Sequence, residues 1–306
     1  MMEFILVGCQ MEADNTSARN NIPGSVVKSG ISISGKGVLR KTSEVLILSS
    51  TVKLSDFYKK GVESGIFIEE REGFIKPFIM GQYEVTQELY NAIMNNNPSY
   101  FEGVENTAEE GETQELRPVE KVSWYDVIVF CNQLSIKEKL DPCYTIDNSP
   151  NLAGYDKSND DWNRLVCDFT ANGYRLPTEI EWEIAVRGGM PEEDDWDISY
   201  DENSLKSVAW IQSNAQSKTH EVGLKDCNML NLFDMIGNVA EWCWDLYGEE
   251  IKTNTPITGV ESANSTNRSL RGGYWFSNVL NYQGRMSQPP TTSNQLLGFR
   301  VVRTTK

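Results

Sequence analysis

One histidine, His220, and six cysteines, Cys9, Cys131, Cys143, Cys167, Cys227 and Cys243, carry most of the reactive side-chain chemistry open to this 306-residue chain. A multi-histidine metal site needs more imidazoles than one chain supplies, and a histidine relay would have to pass through His220 alone. His220 is followed by Glu221 in a polar run, and reads as a solvated loop residue. No two cysteines form a C-x-x-C pair, which argues against a zinc site. Cys131 sits in an apolar helical stretch and Cys243 between two tryptophans, so both read first as small buried hydrophobes. A Cys143–Cys167 disulfide is compatible with the sequence, which does not determine pairing.

Three helices and a few strands must position these residues. Gln87–Met94 reads as a helix. Ser123 with Asp126 three residues on, then Val127, Ile128, Phe130, Cys131 and Leu134, marks a capped second helix. Thr178 with Glu181 forms a T-x-x-E capping box for a third, which ends at Gly188-Gly189. Phe74–Met80 reads as a strand that Pro77 confines to an edge or bulge, because proline has no N–H for the ladder. Gly298–Arg303 alternates as a terminal strand. Asp141–Asn172 and Pro191–Ser207 are polar and acidic, and both read as long surface loops with room for short hairpins.

Net charge is −16, with hydrophobic residues at 39%. Such a chain buries a sizeable core and is repelled by phosphate backbones, so nucleic acid is excluded as an expected partner. No window of about 18 apolar residues exists to span a membrane. Near the start, Leu6-Val7-Gly8-Cys9 resembles a bacterial lipobox. That resemblance implies a lipid on Cys9 and anchoring to an outer membrane surface. Only eight residues precede Cys9 and a charged leading stretch is missing, so a chance match stays open. Residues 1–35 are accordingly expected to be a tether and 36–306 a single folded domain.

Six phrases then fall in order along the chain: Tyr83-Glu84-Val85-Thr86; Arg117-Pro118-Val119 with Val122-Ser123-Trp124; Tyr174-Arg175-Leu176-Pro177-Thr178-Glu179 with Glu181-Trp182-Glu183; Gly237-Asn238-Val239-Ala240-Glu241-Trp242; Leu270-Arg271-Gly272-Gly273; and Gly298-Phe299-Arg300. The series resembles the formylglycine-generating-enzyme (sulfatase-modifying factor) domain family. The resemblance implies an α+β, C-type-lectin-type fold with two main helices, small antiparallel sheets and extensive ordered loops. It also implies a site to be tested residue by residue. The copper-binding cysteines of the family's oxidases would fall on Ser277 and Tyr282, and no cysteine follows Cys243. A hydroxyl replaces thiolate neither as nucleophile nor as soft ligand. The iron-dependent relatives need several histidines. The family's known chemistries are therefore expected to be absent. Its calcium site would correspond to the side chains of Asp234 and Glu241 with the carbonyls of Gly237 and Val239. Ca²⁺ is thus a candidate cofactor, against an alternative in which both acids are structural.

The C-terminal frame narrows the resemblance. Ser269-Leu270-Arg271-Gly272-Gly273, Trp275, a mixed segment, then Gly298-Phe299-Arg300 is similar to the variable proteins of diversity-generating retroelements. Membership implies randomised adenines within residues 271–303. AAY codons would become NNY, which never encodes Trp, Met, Gln, Lys or Glu, leaving Trp275, Gln283, Met286, Gln288 and Gln295 as scaffold. Tyr274-Trp275-Phe276-Ser277-Asn278-Val279-Leu280-Asn281-Tyr282 has a paratope's mix of rigid aromatics and short polar residues. Trp275 is assigned to the core, and Tyr274, Phe276, Leu280 and Tyr282 to the surface. The expected ligand-contacting set is Tyr274, Phe276, Ser277, Asn278, Leu280, Asn281, Tyr282, Gly284, Thr291, Ser293 and Asn294. The implied function is non-enzymatic binding of a protein or glycan on another cell, from a bacterial cell surface. The alternatives are a constant, catalytically dead binding domain, or an enzyme with an unrecognised site near Ser277 and Tyr282.

Overall fold

The computed structural model describes residues 26–29, 33–35, 37–39, 43–47, 50–53, 72–75, 78–186, 202–228, 230–248, 265–278 and 285–304, with side chains from residue 78 onward. The strands in chain order are β1 Val26–Ser29, β2 Ile33–Gly35, β3 Gly37–Leu39, β4 Ser43–Ile47, β5 Ser50–Lys53, β6 Glu72–Ile75, β7 Phe78–Gly81, β8 Tyr144–Thr145, β9 Val166–Cys167, β10 Tyr174–Arg175, β11 Ala240–Leu246, β12 Arg268–Arg271, β13 Met286–Gln288, β14 Leu297–Gly298 and β15 Val302–Thr304. The helices are α1 Gln87–Met94, α2 Trp124–Lys137, α3 Glu179–Val186 and α4 Glu202–Val208.

The helix starts follow the side-chain chemistry legible in the sequence. Thr86 caps α1 by accepting the Leu89 N–H. Ser123 and Asp126 close a reciprocal capping box at α2. At α3, Thr178 Oγ1 accepts from Glu181 N at 3.2 Å, and Glu181 Oε2 accepts from Thr178 N at 2.9 Å. These bonds satisfy amides that a helix cannot pair internally. Helix α4 takes up residues 202–207 of the segment expected to be loop, and the expectation is corrected there. Leu205 anchors it in the core, and one buried side chain is too short a signal to read from sequence.

Five strands form one antiparallel sheet in the order β1-β4-β7-β15-β10, and four form a second in the order β13-β12-β11-β14. β1 pairs with β4, Val26 opposite Leu46, so the later part of the expected tether belongs to the sheet. Cys9 lies outside the described residues. The run read as one strand is instead two, β6 ending at Ile75 and β7 beginning at Phe78. The expected terminal strand is also divided. Leu297–Gly298 runs parallel to β11, while Val302–Thr304 pairs with β7 and β10. Between them Phe299 and Val301 hold the chain through their carbonyls, which accept from Val85 N (2.9 Å) and Gly81 N (2.8 Å). Arg300 is fully buried there, because its partner Glu241 lies on β11 and draws the guanidinium inward.

The main core surrounds α2, with Trp124, Phe130, Trp242, Trp244 and Phe299. A second apolar cluster packs α3 against α4 and residues 230–236. A third and smaller one joins Phe101, Ala215 and Trp275. Cys143 and Cys167 flank Tyr144 at the β8–β9 pair but are free thiols, as are Cys131 and Cys243, so the considered disulfide is not formed.

Candidate functional site: the C-terminal turn and its anchors

Leaving β12, the chain passes through Gly272 and Gly273 at φ +90° and +74°. A Cβ on Gly272 would sit 3.1 Å from the Met235 carbonyl oxygen and 3.3 Å from the Trp182 ring. Glycine is required there by both backbone angle and space. The next residues form a tight turn: Ser277 N donates to the Tyr274 carbonyl at 2.7 Å, and Tyr274 N donates to Ser277 Oγ at 2.9 Å. Trp275 N donates to the Asn238 carbonyl at 2.9 Å, and the Ser277 carbonyl accepts from Gln212 N at 3.0 Å. The Trp275 indole N–H donates to the Gln295 carbonyl at 3.0 Å.

The turn sorts its side chains. Trp275 is buried, as assigned, and meets Phe101 edge-on at 5.4 Å between ring centroids. Phe276 is 51% exposed, and Asn278 is exposed. Two assignments are corrected. Tyr274 is half-buried and packs against the main core. Ser277 is buried, because its hydroxyl serves the turn as hydrogen-bond acceptor, so it is withdrawn from the ligand-contacting set. Leu280, Asn281, Tyr282, Gln283 and Gly284 lie outside the described residues.

The chain returns at Arg285, whose guanidinium grips the buried Glu179 carboxylate at 2.5 and 2.9 Å and the Gly248 carbonyl at 3.0 Å. Burial alone would raise the Glu179 carboxyl. The Arg285 hydrogen bond and the charges of Arg285 and Arg271 outweigh that and hold it below the ordinary range. Met286 and Gln288 lie in β13. Thr291 and Ser293 are exposed. Asn294 is half-buried and structural: its carbonyl accepts from Lys121 N at 2.9 Å, and its Oδ1 from Leu296 N at 3.0 Å. Trp124 N donates to the Pro290 carbonyl at 3.1 Å.

Beneath this face lies a buried charge network. Arg300 contacts both oxygens of Glu241 at 2.6–2.9 Å, and the Trp182 indole N–H donates to Glu241 Oε2 at 2.7 Å. Burial pushes Glu84 well above its ordinary range, reinforced by the Asp234 and Glu241 charges, although Asn238 Nδ2 and Val239 N donate to it. Burial likewise raises Asp234 to about 6; Gly223 N donates to its Oδ2 at 2.7 Å, and its Oδ1 has no hydrogen-bond partner. These residues do not fit a resident Ca²⁺. Arg300 already supplies the cation facing the carboxylates, and Glu241 has no oxygen left over. One orphan oxygen on Asp234 is not a coordination shell. Among the described residues no group of three or more His, Cys, Asp or Glu is arranged to hold a metal. The calcium expectation for Asp234, Gly237, Val239 and Glu241 is corrected accordingly.

The four free thiols among the described residues and the imidazole are inert or occupied. Burial raises Cys131, Cys167 and Cys243 well above the ordinary thiol range and Cys143 to about 11, keeping them protonated and inert at neutral pH. His220 is buried rather than solvated. It stacks on Trp210 at 3.8 Å. Its Nδ1 lies 2.7 Å from Glu112 Oε1 and its Nε2 3.0 Å from the Ala215 carbonyl. The polar sequence around it misled because the carboxylate that meets it, Glu112, lies 108 residues earlier in the chain.

The loop carrying Tyr100 and Phe101 was not foreseen as part of this region. Glu120 fixes it, accepting from Tyr100 N at 3.0 Å and Phe101 N at 2.8 Å. The turn-forming run Asn95–Ser99 signals a loop, but nothing local signals its neighbour Trp275. Among the described residues no helix is long and apolar enough to cross a membrane.

The model of the sulfatase-modifying factor enzyme 1-like domain matches residues 36–305. The chaperone protein LppX of Paenibacillus barcinonensis is 35% identical over 272 residues, covering 79% of this chain and 88% of that protein. The solved structure of Treponema denticola variable protein 1 is similar with a TM-score of 0.76 at 36% identity, covering 93% of this chain and 100% of that one. The inactive C-alpha-formylglycine-generating enzyme 2 of Bos taurus is 28% identical over 156 residues, covering 45% of this chain and 47% of that protein.

Proposed function

The chain belongs to the sulfatase-modifying factor enzyme 1-like domain family, and from that premise we propose that it is a non-enzymatic binding protein whose ligand-contacting face is the C-terminal segment within residues 271–303. The observation that carries this reading is how the segment is held. Trp275, Ser277, Pro290 and Asn294 are tied to the scaffold through main-chain groups, on Asn238, Gln212, Trp124 and Lys121. Main-chain bonds survive a change of side chain, so Phe276, Asn278, Thr291 and Ser293 are free to differ without loss of the fold. The aromatic and short polar composition suits recognition.

The likeness to a variable protein supports a finer statement: this segment is diversified by a retroelement, and the protein displays it at a bacterial surface toward a ligand on another cell. The buried, protonated thiols among the described residues and the hydroxyl at Ser277 support the non-catalytic part. The inactive relative shows that the family includes members described as such. A second reading, favoured by the likeness to LppX, is a constant domain that binds a protein client.

Sequencing the 3′ end of the gene and its flanking DNA from many cells of one population tests the diversification. Differences concentrated in codons 274–297, matching adenines of a nearby template copy and sparing Trp275, support it. An invariant segment without a template copy sinks it and leaves the constant-domain reading.

A further inference from the structure

Resting on the reading of the C-terminal segment as a binding face, we infer that the loop after α1 forms a second, constant half of that face and directs it toward Lys/Arg-rich segments of a partner protein. Tyr100, Phe101, Trp275 and Phe276 form a series of edge-to-face rings with centroid steps of 5.1, 5.4 and 5.5 Å. The inner pair is buried, while Tyr100 and Phe276 at the ends are 50% and 51% exposed. Val104, on the same loop, is 92% exposed. Half of the exposed large apolar side chains among the described residues thus belong to this loop and the turn it touches.

The loop is built to hold that display. Glu120 takes the amides of Tyr100 and Phe101. Gln114 Nε2 donates to the Phe101 carbonyl at 2.7 Å. Arg117 lies over the Phe101 ring at 5.3 Å and donates to the Asn106 carbonyl at 2.8 Å. Asn106 Nδ2 donates to the Tyr100 carbonyl at 3.0 Å. An apolar patch fixed this firmly loses little conformational freedom on binding.

Charge selects the occupant. Residues 102–115 contain six glutamates and no lysine or arginine. Glu109 pairs with Lys218 and Glu112 with His220. Glu105, Glu110 and Glu115 are exposed and have no counter-charge among the described residues. A guanidinium or ammonium group gains from both exposed rings and these carboxylates. A neutral or acidic glycan gains from the rings alone. A second copy of this chain, at net charge −16, is repelled. The constant half would thus restrict the partner class whatever residues occupy the C-terminal segment.

The test is selection of a displayed random-peptide library on the full chain at low ionic strength. The selected peptides are then measured against Tyr100→Ala, against the triple variant Glu105→Gln, Glu110→Gln, Glu115→Gln, and against Phe276→Ala, each checked for unchanged circular dichroism. The expected result is enrichment of Lys and Arg, with binding weakened about tenfold by each of the first two variants and further by added salt. Peptides that lose binding only to Phe276→Ala overturn the inference and leave the C-terminal face standing. Peptides indifferent to all three variants overturn both. Selection without Lys/Arg enrichment, or no selection at all, overturns the cationic partner.

Discussion

The Trp275 indole N–H reaches 3.0 Å to the carbonyl of Gln295, clasping the start of the C-terminal segment to its end. The ring is also the floor on which Phe101 and Phe276 rest. Trp275→Ala is expected to destabilise the fold by about 3–5 kcal/mol, the cost of emptying a buried indole site. Phe276→Ala, at an exposed position, is expected to shift stability by less than about 1 kcal/mol while weakening ligand binding. Urea unfolding of both variants checks the contrast, and comparable losses would place Phe276 in the core.

Arg285 is the other post of the segment. Arg285→Ala leaves the buried Glu179 carboxylate with the more distant Arg271, 3.8 Å away, in its place. A loss of roughly 3 kcal/mol is expected, since an abandoned buried charge costs more than its pair contributed. The double variant Arg285→Met with Glu179→Leu is expected to recover part of it. A double variant no more stable than Arg285→Ala would contradict this account.

Glu120 gives the loop at Tyr100–Phe101 a pH signature. Burial raises its carboxyl from the ordinary 4.5 to about 7, against the two amides and the Arg117 charge that lower it. The folded state therefore holds a proton that the unfolded state has lost between those values. Its contribution is complete below pH 4.5 and disappears as pH rises through about 7, a span worth roughly 3 kcal/mol at most. Glu120→Gln is expected to flatten the fall in stability across that window. Parallel curves for variant and wild type would remove Glu120 as the cause.

Calcium is expected to do nothing to the fold. Glu241 is saturated by Arg300 and Trp182, so added Ca²⁺ at about 1 mM, or its removal by chelator, should leave Tm unchanged, because only a ligand of the folded state raises it. A reproducible rise with Ca²⁺ would reopen the site. Arg300→Ala should in contrast cost about 3–5 kcal/mol, stranding Glu241 among Glu84 and Asp234.

The sequence by itself determined the helices that begin with a cap, because Ser123 with Asp126 and Thr178 with Glu181 act within one turn and need no distant partner. It also carried the family frame, and with it the inward Trp275, which the resemblance implied. Partners far along the chain decided the rest. Arg300 turned a terminal strand into a buried crossing because Glu241 awaited it 59 residues away. His220 went inside because Glu112, 108 residues earlier, offered a carboxylate. Ser277, by contrast, faced inward for a local reason, its hydroxyl accepting the Tyr274 amide within the turn. The neighbourhood of Tyr100 and Phe276 exists only in the folded chain. Capping is a local free energy set by spacing. Burial of charge and contact between loops depend on which surfaces meet, and only the tertiary structure decides that.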